Sequence, residues 1–92
     1  MRINLTGTRM SKYIVKSLIF SPKQIEIMSL IAQGYDNQYI ADKLFLGKKT
    51  IEFYISRIYE KIRLNENTEN KYMRVLTTIV YQDIKKALAD AF

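Results

Sequence analysis

Ninety-two residues make one domain, large enough to fold around its own core and too small to enclose a buried catalytic cavity. The chain has no cysteine and no histidine, which excludes disulfides and thiolate metal sites and removes the commonest general base and metal ligand. With its acids scattered and no close pair in an apolar setting, the chain is not expected to be an enzyme or to hold a metal or cofactor.

The net charge of +6 is unevenly placed. Residues 1–20 carry Arg2, Arg9, Lys12 and Lys16 without an acid; residues 43–63 carry Lys43, Lys48, Lys49, Arg57, Lys61 and Arg63 against Glu52 and Glu60. Each stretch is therefore +4, whereas residues 64–92 balance four bases against four acids. Positive charge concentrated on particular elements is the footprint of a polyanion binder. No run approaches the ~18 apolar residues that span a bilayer, and no cleavage site follows the apolar stretch interrupted by Lys16, so a cytoplasmic protein is expected.

Residues 1–19 form a basic N-terminal extension: a polar arm, then a segment containing Tyr13, Ile14, Leu18 and Ile19 that suits either a short helix capped by Ser11 or an extended strand. The first firm helix has strong start signals. Ser21 is the N-cap, Pro22 takes the first helical position and Gln24 completes a capping box, while Phe20 can pack on Ile25 as a hydrophobic staple. Gly34 ends the helix, whose inward side is Ile27, Met28, Leu30 and Ile31. Asp36 caps a second helix over about 37–45, with Ile40, Ala41 and Leu44 inward, and the turn Leu46-Gly47 follows.

The third helix, about 48–63, has two faces. Ile51, Ile55, Ile58 and Ile62 recur every three or four residues, so they share one side. Lys49, Glu52, Phe53, Ser56 and Glu60 lie opposite. A helix anchored by one face and displaying charge, a ring and a hydroxyl on the other is built to insert, and the DNA major groove admits one α-helix. Lys48 and Lys49 stand where positive charge opposes the helix dipole, which favours an anionic partner. Two helices joined by a short Gly-containing turn match the helix-turn-helix pattern. A last helix is expected from 67 or 68 to about 90, with Met73, Leu76, Val80, Ile84, Ala87 and Ala91 in helical register and Tyr72, Ile79 and Leu88 widening the stripe. At about 33 Å it would overrun a small three-helix core, which calls for a partner helix.

The segment from residue 20 to about 76 resembles the LuxR/GerE-type helix-turn-helix domain. The matching marks are Ser21-Pro22, Glu26, LIAQG at 30–34, Ile40-Ala41 followed by Leu44, Thr50-Ile51, SRI and YEKI across 56–62, and Thr68-Glu69. The resemblance implies an all-α, four-helix domain spanning 20–92, with an extended C-terminal helix, and a DNA-binding bacterial transcription regulator acting as a homodimer on double-stranded DNA. It implies base-facing roles for Glu52, Phe53 and Ser56, with Lys49 just ahead, backbone contacts from Lys48, Thr50, Arg57 and Lys61, and dimerisation through the fourth helix, where Tyr72, Met73, Leu76, Ile79, Val80 and Ile84 stand. Departures are also plain: Glu52 replaces the usual Lys or Arg, Tyr54 stands where His is common, and the loop after the third helix lacks its usual arginine. The alternatives are an interaction module that pairs with another regulator or RNA polymerase without autonomous DNA binding, and a fragment resembling sigma region 4.

Overall fold

A computed structural model describes residues 19–66 and 71–91. The expected arm and most of the extension lie outside the described residues. Within them the chain is four helices and no strand: α1 (Pro22–Ala32), α2 (Asn37–Leu44), α3 (Lys48–Glu66) and α4 (Met73–Ala91). The all-α, four-helix architecture implied by the sequence is thus observed.

Local chemistry sets the boundaries. Ser21 Oγ accepts from the Gln24 amide at 3.1 Å while the Ser21 amide donates to Gln24 Oε1 at 3.0 Å, closing the capping box ahead of Pro22. At the other end of α1, Gly34 adopts φ +91° and the Tyr35 amide returns to the Leu30 carbonyl at 3.3 Å. A Cβ at Gly34 would meet nothing within 4 Å, so glycine is required by the backbone angle and not by crowding. Asp36 caps α2 by accepting from the Tyr39 amide at 2.8 Å. The helix stops at Leu44, one residue short of the expected end, because Phe45 turns left-handed with φ +57° and the Leu46 amide bonds the Ala41 carbonyl at 2.9 Å. Gly47 opens α3, its carbonyl accepting from the Ile51 amide at 3.1 Å.

The second half of the chain differs from expectation. α3 runs on to Glu66, because residues 63–66 contain neither Gly nor Pro to stop it. α4 begins at Met73, where the apolar register begins, with the Tyr72 carbonyl accepting from the Leu76 amide at 3.0 Å. Its 19 residues span about 28 Å.

The core joins all four helices. Ile27, Met28, Leu30 and Ile31 from α1, Ile40 and Ala41 from α2, and Ile51, Ile55, Ile58 and Ile62 from α3 are buried together with Phe20. α4 packs most extensively on α1 and buries Met73, Thr77, Val80, Ile84 and Ala87. That alternating spacing of four and three keeps one face against the domain along the helix. From Met73 to Ala87 the inward face of α4 is covered within the chain, so that face does not call for a partner helix. Thr77, fully buried, satisfies its hydroxyl on the Met73 carbonyl at 2.6 Å.

Phe45 is 93% exposed and holds a backbone angle that disfavours a side chain. Phe45→Gly is expected to raise stability by about 0.5–1 kcal/mol, whereas Gly34→Ala should lower it by about 1 kcal/mol. Urea unfolding checks both; a destabilised Phe45→Gly would show that the ring has an intramolecular role.

Candidate nucleic-acid interface

The buried isoleucines fix how α3 is rotated, and that rotation decides what it shows to solvent. Lys49, Phe53, Ser56 and Glu60, at spacings of four, three and four, lie opposite the isoleucine stripe, and all are exposed. Glu52 and Lys48 turn toward the start of α2. With Asp36, Asn37, Gln38 and Arg74 they line an open groove of about 490 Å³. Two bases there face two acids, so the groove is close to neutral.

The opposite flank of α3 is aromatic and cationic. Phe53 is 58% exposed, with the Arg57 guanidinium 5.2 Å from its ring centroid and Tyr54 edge-on at 6.5 Å. Glu60 Oε2 lies 3.4 Å from Arg57 Nη1, with both side chains more than half exposed, so this contact orients Arg57 more than it stabilises the fold. Ser56 Oγ donates to the Phe53 carbonyl at 2.9 Å. Lys48, Lys49 and Thr50 form the first turn of α3, which contains no acid to offset their charge. The structure thus leaves Lys48, Lys49, Thr50, Glu52, Phe53, Ser56 and Arg57 exposed on α3, with Lys48 and Glu52 on the flank that meets α2 and Phe53 and Arg57 on the other.

Lys61 does not join them. Its ammonium donates to the Ile19 carbonyl at 2.8 Å and to Gln24 Oε1 at 2.7 Å, and it lies 5.7 Å from the Phe20 ring centroid. It ties α3 to the α1 capping box. The expected dimerisation residues also divide. Met73, Val80 and Ile84 are buried in the chain's own core and Leu76 is half-buried against it, whereas Tyr72 and Ile79 are exposed at 69% and 52%. Val75, exposed at 59% on the same side, was not foreseen.

Arg74 is the other residue that sequence reasoning missed. It reaches from α4 to Asn37 Oδ1 at 2.8 Å and to the Tyr35 carbonyl, latching α4 to the turn that starts α2. Its signal was available: a cation in the first turn of a helix opposes the dipole and so needs a partner. Beside it Tyr35 and Tyr39 stack with centroids 4.0 Å apart. The hydrogen bond to Tyr39, followed by charge interaction with it and burial, raises the Tyr35 hydroxyl above its ordinary pKa.

Residues 18–73 match the family described as bacterial regulatory proteins, luxR family (GerE). This chain belongs to the LuxR family. It is 34% identical over 88 residues to the oxygen regulatory protein NreC of Staphylococcus carnosus, covering 96% of this chain and 36% of that protein. It is 43% identical over 51 residues to NreC of Staphylococcus epidermidis, covering 55% of this chain and 23% of the relative, and equally identical to NreC of Staphylococcus aureus strain JH9, covering 24% of it. The chain therefore spans between about a quarter and about a third of these relatives. No solved structure matches it. Family membership makes this a helix-turn-helix domain of the bacterial regulatory proteins of the luxR family. Among the described residues no helix is long and apolar enough to cross a membrane.

The different placements of Lys61 and Arg57 separate structural from surface cations. Lys61→Met is expected to cost about 1–2 kcal/mol of stability, since it removes two charge-assisted hydrogen bonds. Arg57→Ala should stay within about 0.5 kcal/mol of the parent. Chemical unfolding of both variants tests the assignment, and the reverse ranking would contradict it.

Proposed function

We propose that this domain inserts the outer face of α3 into the major groove of double-stranded DNA, as one half of a homodimer on a two-fold symmetric site. The observation that carries this reading is the division of α3: one side wholly committed to the core, the other a solvent-exposed set of Lys49, Phe53, Ser56 and Arg57. In this reading Lys49, Glu52, Phe53 and Ser56 face base edges, and Lys48, Thr50 and Arg57 contact the phosphates. Each cation that neutralises a phosphate releases condensed counterions, which supplies affinity without sequence preference. Membership of a DNA-binding regulator family supports the reading.

The dimer half rests on α4. Val75 and Ile79, with Tyr72 a turn earlier, form a short apolar strip on the side of α4 away from the core. A second copy covering that strip would bury it and present two α3 helices to successive turns of the duplex. The strip occupies the N-terminal half of α4 and gives way to Gln82 and Lys86, so the contact is confined to that end.

A second reading has its own support. Glu52 and Glu60 place acids on the outward face, where they meet the phosphate field with the wrong sign. In that case the domain is an interaction module, and the α4 strip receives another regulator or RNA polymerase.

Titration onto random-sequence duplex DNA at a series of salt concentrations distinguishes the two. The first reading predicts measurable affinity at low salt and a steep negative dependence of log K on log salt, with the slope falling by about one for each of Lys49→Ala and Arg57→Ala. Absence of binding at low salt favours the interaction module. For the dimer, Ile79→Arg is expected to halve the sedimenting mass while leaving the helical circular dichroism unchanged, because residue 79 is exposed on the single chain. An unchanged mass would place the subunit contact elsewhere.

A further inference from the structure

The hydrogen-bonding character of the outward face of α3 says which bases it would select. The carboxylate of Glu52, exposed where it lines the groove with Lys48 and Arg74, can only accept hydrogen bonds. Ser56 has one hydroxyl proton, and it is given to the Phe53 carbonyl 2.9 Å away, so toward solvent Ser56 Oγ presents lone pairs. The two residues lie one helical turn apart, about 6 Å along the axis, or roughly two base steps. Between them Phe53 offers an apolar ring with the Arg57 guanidinium 5.2 Å from its centroid and the Tyr54 ring edge-on. Arg57 is in turn oriented by Glu60. The ring is thereby held on two sides and pays less conformational entropy on contact than a free side chain.

This polarity is the reverse of a basic reading helix, whose Arg and Lys side chains donate to guanine O6 and N7. Resting on the reading of α3 as a groove helix, we propose that this face selects base-edge donors: the N4 amino group of cytosine opposite Glu52, an amino group of cytosine or adenine opposite Ser56, and a thymine methyl against Phe53. Cytosine is preferred over adenine at Glu52 because adenine sets its N7 acceptor beside its amino group, and that lone pair would face the carboxylate. Guanine turned toward Glu52 is rejected, since its two acceptors would meet a desolvated carboxylate with no proton between them. Lys49, the exposed cation a turn ahead of Phe53, remains the donor for an adjacent guanine or phosphate.

The test selects bound duplexes from a random library with the full 92-residue chain and then alters single groups in the selected site. The inference predicts a core with cytosine at the position governed by residue 52. Reversing that pair from C·G to G·C should weaken binding roughly tenfold. Glu52→Gln, which adds an amide donor, should shift the preference there from cytosine to adenine. Replacing the contacted thymine by uracil removes only the methyl, and should weaken the parent chain several-fold while leaving Phe53→Ala unaffected. Because that change is made in the DNA, it does not depend on any variant folding. Guanine at the position that Glu52→Gln alters, an unchanged preference in that variant, or indifference of the parent to uracil would each overturn the inference while leaving groove binding intact. If no duplex is enriched over bulk DNA even at low salt, the groove reading itself falls, and this inference with it.

Discussion

The burial of one isoleucine face on α3 is the constraint on which the rest of the molecule depends. Ile51, Ile55, Ile58 and Ile62 meet α1, α2 and α4 in a single core, and each contributes roughly 2–3 kcal/mol by leaving water. Because β-branched isoleucine has little χ1 freedom in a helix, the face also sets the rotation of α3 closely. Turning the helix by one residue would swing an isoleucine to solvent and draw a charged or polar side chain into the core. The outward set is thus specified by what it cannot do, which is face inward.

Two cations reinforce that arrangement from inside the domain. Lys61 holds α3 to the capping box of α1 through Gln24, and Arg74 holds α4 to the start of α2 through Asn37 and Tyr35. Between them they tie α1 to α3 and the start of α2 to α4. The basic charge of the 43–63 stretch is therefore divided between structural and surface work. Lys48, Lys49 and Arg57 face outward, whereas the charge of Lys61 is engaged within the fold. Net charge alone overstates the cation supply of the exposed surface of α3.

Much of the fold was legible because its signals are local. The capping box at Ser21 and Gln24, the glycine at 34, the aspartate at 36 and the start of α3 after Gly47 all act within four residues of themselves, and each stands where it was expected. The errors came where the decision is not local. The end of α3 and the start of α4 lie in a polar stretch without Gly or Pro, and helix propagation carries α3 to Glu66. The apolar stripe of α4 stands in the expected register, but periodicity says that a face is buried and not by which chain: Met73, Val80 and Ile84, expected at a subunit contact, pack on α1 and α3. Lys61 and Arg74 escaped for the same reason, since their acceptors lie some 37 to 42 residues away in sequence. On the outward face of α3, by contrast, exposure followed from the isoleucine register alone.

The central claim is that the outer face of α3 meets DNA while its inner face stays in the core, and backbone amide shifts measure this residue by residue. Titrating isotopically labelled protein with a short duplex should move the amides of residues 48–57 most, leave those of the buried positions in α1 and the second half of α4 nearly still, and do so reversibly with added salt. Shifts concentrated on α4 around Val75 and Ile79, with residues 48–57 unmoved, would contradict the account and assign the binding surface to the other side of the molecule.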